Sequence, residues 1–356
     1  MSSPNRDRLS GHTSPTFSVY RRNCGCREVG NTVLYSPHTP HPPKGVAMTQ
    51  VPATIRVGFV DATPLLSDPI ALRAQAQRDG YLFFKQLLPK SDVQTLRTEL
   101  LQLLAKRGWL RSDVPLDAAL VNAPAVADLE SWGGTGISEE AYRELQHSYL
   151  FQRFQHHPSL IRLYQTLFDA AVLPHPRTIA RVMVPCPSFR PTPMHQDFIH
   201  IQGTKQVWTC WLPVGDVPRS LGGLTVLHGS HTLGVLTVRH AEGAGNLETN
   251  LCDTDLPWIE HDYEMGDVLT FHSCLLHKSL PNQHDDVVRL SCDYRFQPAS
   301  QDIEARSLQP HMQVAEWDEL YRDWDDATYQ YYWQRQPLVM SPWDESLHWQ
   351  KERICN

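Results

Sequence analysis

Apolar positions recur at helical intervals from Asp68 through DPIALRAQAQ, and the pattern stops at Asp79-Gly80. Tyr81 to Phe84 (YLFF) follows as an unbroken apolar run of strand length. Pro89 then leads into a second helix, where Val93, Leu96, Leu100, Leu103 and Leu104 form one apolar face. Ser91 and Gln94 stand in capping-box spacing at its start, and the helix is expected to end near Gly108. Residues 110–136 are rich in turn formers and keep no period, after which Glu139 to Phe154 and Ser159 to Ala170 read as two more helices.

The texture changes after Leu173. Short runs of β-branched and aromatic residues (TIARVMV, QVWTCWLPV, LTVL, DVLTF, VVRLSCDYRF) are broken by Pro and Gly, the pattern of an antiparallel β architecture. Helices preceding several short strands predict a mainly β fold, a two-sheet jelly-roll barrel with a helical buttress. In VVRLSCDYRF, Arg289, Ser291, Asp293 and Arg295 alternate with Leu290, Cys292, Tyr294 and Phe296. That polar face is either a barrel interior lined for binding or a solvent face. Beyond Gln301 the chain is rich in Trp and Tyr; a helical segment is expected there, packing over the barrel or forming part of its mouth, with packing favoured.

Composition divides the chain in two. Residues 1–50 carry six Lys/Arg against two Asp/Glu, while the whole chain carries 32 against 39. This Ser-, Pro- and Arg-rich tail is expected to be disordered, because it holds too little apolar surface to offset its ordering entropy. It reads either as a transit peptide or as an overextended gene start before Met48. Residues 51–356 are expected to form one domain, with the β core at about 173–300. Its acidic balance, without basic stripes, argues against nucleic acid. The absence of a long apolar run argues against a membrane partner and favours the cytoplasm, with organelle targeting by the tail as the alternative. Cys210, Cys274 and Cys292 sit in apolar runs and read as buried free thiols; Cys24-x-Cys26 alone is a weak metal signal.

An iron site open to oxygen needs three protein ligands on one face, and two imidazoles with one carboxylate meet that need. In MHQDF, His195 and Asp197 are one residue apart, so on an extended strand both side chains reach the same side. The spacing alone is weak: a chain with 18 histidines and 39 acids yields about two His-x-Asp/Glu matches by chance, and three occur. The other two, His284 with Asp286 and His240 with Glu242, lie in turn-like polar segments. The distal ligand is His272 or His277, and His277 is preferred because of the arginine strand that follows it. An arginine on that strand can grip a carboxylate through two parallel hydrogen bonds, the contact that would hold 2-oxoglutarate. Arg289 and Arg295 compete for this role. Trp208 and Trp211 are candidates to line the same cavity.

MHQDF, GGLTVLHGSH, GDVLTFHSCLLHKSLPN and RLSCDYRFQ, in this order, resemble the phytanoyl-CoA dioxygenase family, and QRDGYLFFKQLLP resembles its domain start. The resemblance implies a double-stranded β-helix, with Fe(II) on His195, Asp197 and His277, and 2-oxoglutarate and O2 as co-substrates. It places the co-substrate arginine at Arg289, with Ser291 in the accompanying position, if one extra residue is taken up by the turn near Gln283 to Asp286. His228 stands where the family usually has proline, and Ser230 and His231 either contact substrate or close their loop. The implied reaction is hydroxylation of a small-molecule metabolite, with release of succinate and CO2. The alternatives are a metal-dependent isomerase or lyase on the same barrel, or a catalytically silent ligand-binding member.

Overall fold

The computed structural model describes residues 55–349; the expectations for the tail, with Cys24, Cys26 and Met48, lie outside the described residues. Helix α1 (Pro69–Asp79) starts where the Asp68 carboxylate accepts the Ala71 N–H, and it ends at Gly80, whose φ of 76° is left-handed. Helix α2 (Lys90–Lys106) begins at Pro89, earlier than the capping-box reading, so Ser91 lies inside the first turn and caps nothing. Its buried stripe is Val93, Leu96, Leu100, Leu101 and Leu104. A short α3 (Ala123–Val126) occupies the turn-rich stretch. The single helix expected over Glu139 to Phe154 is instead two, α4 (Glu139–Gln146) and α5 (Tyr149–Arg153). The break falls at Ser148, whose hydroxyl accepts the Phe151 N–H at 2.9 Å and starts a new helix. Helix α6 (Pro158–Phe168) follows.

The strands are β1 (Ile55–Val57), β2 (Tyr81–Phe84), β3 (Val172–Pro174), β4 (Ile179–Met183), β5 (Trp208–Pro213) and β6 (Leu224–Leu227), then β7 (Val238–His240), β8 (Leu247–Thr249), β9 (Trp258–Glu260), β10 (Val268–His272), β11 (His277–Ser279) and β12 (Arg289–Pro298), followed by the short parallel pair β13 (Ile303–Glu304) and β14 (Met340–Ser341). One sheet runs β2-β10-β5-β12-β3, with β4 also paired to β12; the other runs β1-β9-β6-β11. All pairs within these two sheets are antiparallel except β1 with β9. Phe83, Trp211, Leu269 and Phe271 of the first sheet pack with Leu224, Val226 and Ile259 of the second, closing the interior of a double-stranded β-helix.

Alternation decides what each side of the larger sheet meets. Trp208, Cys210 and Leu212 of β5 and Leu290, Cys292, Tyr294 and Phe296 of β12 join the helix residues Leu96, Leu100, Leu160 and Tyr164 in one core. Phe296 stacks on Tyr164 with ring centroids 3.9 Å apart. The opposite, odd-numbered residues of both strands turn inward. All ten residues of β12 are buried, so its polar face is a barrel interior and not a solvent face.

The C-terminal segment departs from the expected helix. Only α7 (Trp317–Leu320) is α-helical there, with isolated turns around it. Aromatic residues spread around every face cannot share one helical stripe; Trp317, Tyr321, Trp324, Tyr331 and Trp333 instead pack on each other ring to ring. Asp326 accepts the Thr328 N–H at 2.8 Å, fixing a turn in place of a helical continuation. Cys210, Cys274 and Cys292 are free and buried. Among the described residues no helix is long and apolar enough to cross a membrane.

Candidate active site

His195 is held by a two-way backbone pair with His277: the His195 N–H donates to the His277 carbonyl at 3.0 Å, and the His277 N–H returns the bond at 3.1 Å. Gln196 is extended (φ −108°, ψ 132°) and Asp197 opens a short 3₁₀ turn to Ile199. The pair thus spans one bridge residue and a turn, not the continuous strand expected. The extended residue between them still puts both side chains on one side. Gln196 points the opposite way and is fully buried. Its amide donates to the Gly234 and Cys274 carbonyls, each at 2.7 Å, and accepts the Leu236 N–H at 2.9 Å. It fastens the ligand-bearing turn to two neighbouring loops.

The Nε2 atoms of His195 and His277 lie 3.5 and 3.8 Å from Asp197 Oδ1. This is the one grouping of three or more potential metal ligands among the described residues, with ligand atoms within 4.8 Å of one another. Each Nδ1 meets a carbonyl, Pro193 at 2.8 Å and Leu275 at 3.0 Å. A carbonyl can only accept, so each Nδ1 carries the proton and each Nε2 lone pair faces the triad. Burial, then the nearby His195, pushes His277 down to about 3, which keeps it neutral. Burial alone would raise the pKa of Asp197, but Arg295 and the two histidines hold it well below the carboxylate range. Arg295 Nη2 donates to both Asp197 oxygens at 3.4 Å, and the Thr209 hydroxyl donates to Oδ2. Two imidazoles oriented by backbone carbonyls and an ionised, oriented carboxylate are the donor set a divalent iron requires, so the residues fit the ion.

Two spaces meet at this triad. A narrow cleft of about 30 Å³ reaches from it to Arg289, walled by Thr209, Trp211, Leu224 and Phe271. Arg289 rests on Ser291 and the Met183 thioether, with its guanidinium 5.9 Å from the Trp211 ring centre. Its Nε is buried without a partner, and burial pushes its pKa down to about 9. A carboxylate would replace these weak contacts with charge-assisted hydrogen bonds, so the Arg289 end of the cleft suits a carboxylate group. The second space, a cavity of about 440 Å³, shares His195, Asp197, Arg181 and Arg295 with the cleft. Ser131, Gly133 and Gly134 of the 131–136 segment, with residues 243–246 and 311–312, wall it from outside the barrel. The first of these segments lies so close to β4 that a Cβ on Gly136 (φ +91°) would sit 1.7 Å from the Val182 carbonyl oxygen.

The structure brings His195, Asp197, His277, Arg289, Ser291 and Arg295 to one interior. Trp208 does not join them. It packs in the helix-facing core, 5.9 Å from the His272 ring, because β5 turns only its odd positions inward; Trp211 lines the cleft instead. His272 accepts the Cys274 N–H and lies on the far side of β10, so of the two distal candidates His277 joins the triad. Ser230 accepts the Leu276 N–H and His231 bonds the Gln77 carbonyl, so both close their loop. His228 lies 3.8 Å from Asp79. Gln283 to Asp286 form an exposed turn, where an extra residue fits without disturbing β12. Thr209, Gln196, Arg177 and Arg181 were not anticipated. For the arginines the available signal was their four-residue spacing in HPRTIARV, where Arg181 lies on β4 and Arg177 two residues ahead of it.

A buried triad of two histidines and one carboxylate inside a double-stranded β-helix, beside a buried arginine, defines a non-haem iron oxygenase centre. The family model for phytanoyl-CoA dioxygenase matches residues 76–290. A 1-deoxypentalenic acid 11-beta-hydroxylase of Streptomyces arenae is 30% identical over 267 residues, covering 71% of this chain and 89% of that protein. Its namesake from Streptomyces exfoliatus is 29% identical, with the same coverage. Among solved structures, the epimerase SnoN in complex with Fe3+, alpha ketoglutarate and nogalamycin RO aligns at a TM-score of 0.49 and 20% identity, over 67% of this chain and 86% of that one. The chain belongs to the phytanoyl-CoA dioxygenase family. It is an iron- and 2-oxoglutarate-dependent hydroxylase acting on a small-molecule metabolite.

Proposed function

We propose that His195, Asp197 and His277 hold the iron, that Arg289 with Ser291 anchors the distal carboxylate of 2-oxoglutarate, and that the substrate occupies the 440 Å³ cavity. The observation that carries this reading is the placement of three convergent donors and Arg289 at the two ends of one interior cleft. Iron and 2-oxoglutarate, when bound, supply oxygen-dependent hydroxylation of a C–H bond, with release of succinate and carbon dioxide. The chain's own part is orientation. Thr209 and Arg295 fix the Asp197 carboxylate, the Pro193 and Leu275 carbonyls fix the imidazoles, and Trp211 and Phe271 keep water from the cleft. Arg295 is already engaged with Asp197 at 3.4 Å, which favours Arg289 as the anchor.

A single oxygenase domain from residue 51 carries this chemistry in our reading. The relatives are named for hydroxylating 1-deoxypentalenic acid, and a compact organic acid of comparable size suits the cavity. The test is anaerobic Fe(II) titration followed by an oxygen-dependent succinate assay. One iron per chain and iron-dependent succinate formation are expected; iron binding with no response to 2-oxoglutarate overturns the assignment.

A further inference from the structure

The 3₁₀ turn that carries Asp197 is 3 residues long, and hydrogen bonds in this helix type are poorly aligned, so it has little stiffness of its own. On the barrel side, Thr209 and Arg295 fix the Asp197 carboxylate. The Asp197 carbonyl accepts the His200 and Ile201 N–H groups, each at 2.9 Å. The outer side of the turn meets residues 340–349. After β14 the backbone crosses to it, and Asp344 reaches Gln202 across 142 residues of sequence. The buried Gln202 amide donates to the Asp344 carbonyl at 3.0 Å and accepts the Asp344 N–H at 2.6 Å. His348 Nε2 lies 2.7 Å from the Ile199 carbonyl, which can only accept, so this nitrogen carries the proton and donates. Leu347 packs with Ile199, Val238 and Leu247 in a small apolar cluster.

The segment is itself braced. The Asp344 carboxylate accepts the Ser346 N–H at 2.9 Å and the Ser346 hydroxyl at 2.6 Å, which starts the turn Glu345–His348. The Arg306 guanidinium lies 3.8 Å from the Trp343 ring centre, and the Trp343 and His348 rings meet edge to face at 5.0 Å. Upstream, β14 pairs with β13, and Gly203 bridges to Ile303 of β13. A Cβ on Gly203 (φ +100°) would sit 2.9 Å from the Asp302 carbonyl oxygen, so the backbones there are in close contact. A segment that only covered the surface would need apolar contacts such as that of Leu347; this one also grips the Ile199 carbonyl and the Gln202 amide, two and five residues past the metal ligand. We infer that residues 340–349 form a strap that sets the position of the Asp197 turn, with Gln202 and His348 as the positioning residues through which it acts. The carboxylate is then held from both sides, by Thr209 and Arg295 within the barrel and by the strap outside it. This rests on the placement of the iron on His195, Asp197 and His277 proposed above. The strap lies beyond residue 290, where the family match ends.

The test is Co(II) titration of the metal-free full chain, well below the melting temperature of every variant, followed by visible absorption, whose bands report the geometry around the bound ion. His348→Phe keeps a ring beside Trp343 and loses the donor. Gln202→Met keeps the bulk of the side chain and loses both contacts to Asp344. Each should weaken Co(II) about tenfold, the lower end of the range for residues that orient a metal ligand, and alter the spectrum of the saturated site. His348→Gln, which again offers an N–H at that reach, should recover most of the affinity. Trp317→Phe lies in the C-terminal aromatic packing and serves as the stability control: it should lower the melting temperature and leave Co(II) affinity as in the wild type. Wild-type affinity and spectrum in both His348→Phe and Gln202→Met, no recovery in His348→Gln, or an equal loss in Trp317→Phe would each overturn the inference. His195→Ala separates it from the site assignment. If that variant binds Co(II) as the wild type does, the metal is elsewhere and both readings fall; if it loses the ion while both strap variants keep it, the strap inference fails alone.

Discussion

Strand β12 presents two unlike surfaces to two unlike neighbours. Leu290, Cys292, Tyr294 and Phe296 face the helices and belong to the largest core, whereas Arg289, Ser291, Asp293 and Arg295 face the barrel interior within reach of the triad. Burying apolar side chains on the first face stabilises the fold by about 1.5–3 kcal/mol each. Burying charges on the second opposes folding unless each is paired. The pairing there is partial, because Arg289 and Arg295 keep buried nitrogens without acceptors. One strand therefore supports both stability and chemistry by separating them across its pleat, and substitutions on the two faces should fail in different ways.

The largest expected effect is on the inner side. His195→Ala removes a ligand whose ring the Pro193 carbonyl already orients, and iron-dependent succinate formation should fall by more than about a thousandfold. The backbone pair with His277 does not involve the side chain, so the melting temperature of the metal-free protein should hardly change. Retained turnover in this variant would move the metal elsewhere. Phe296→Ala, on the outer face, should do the reverse. Loss of a fully buried ring stacked on Tyr164 should destabilise the fold by about 3–5 kcal/mol in denaturant titration. The folded fraction should still bind 2-oxoglutarate as the wild type does.

The sequence made some of this separation legible and hid the rest. Strict polar and apolar alternation in β12 announced two faces, and only the alternative between interior and solvent needed the structure. Strand β5 gave no such clue: Trp208-Thr-Cys-Trp-Leu-Pro has a tryptophan on each face, so the inward one could not be chosen without knowing which parity meets Asp197. The ligand turn was legible in composition but not in geometry, since the buried amide of Gln196 holds it through three contacts to distant loops. Tertiary partners likewise decided the C-terminal segment, where aromatic packing replaced the expected helix.

Within the inner face, Arg289 and Arg295 can be set against each other. Arg289→Ala should raise the 2-oxoglutarate requirement about 10- to 100-fold, the range of a lost hydrogen-bonded charge contact, with iron affinity little changed. Arg295→Ala should instead weaken iron, because it frees the Asp197 carboxylate that Arg295 orients. Succinate assays over a range of 2-oxoglutarate and iron separate the two. The reverse pattern would make Arg295 the anchor and leave Arg289 as a structural cation beside Trp211.

The smallest effect gives the finest test, because it compares neighbours one peptide bond apart. Thr209→Val keeps the shape of the side chain but removes the hydroxyl that donates to Asp197 Oδ2. Iron affinity should fall about tenfold, the lower end for a residue that orients a metal ligand, with a small stability change since the site is well packed. Trp208→Phe, on the other side of the strand, should lower stability through the helix-facing core and leave iron and 2-oxoglutarate affinities as they are. Metal titration and melting curves on both variants check the pair. If Trp208→Phe shifts the 2-oxoglutarate requirement while Thr209→Val does not shift iron affinity, then the division of labour between the two faces is wrong at β5, even if it holds at β12.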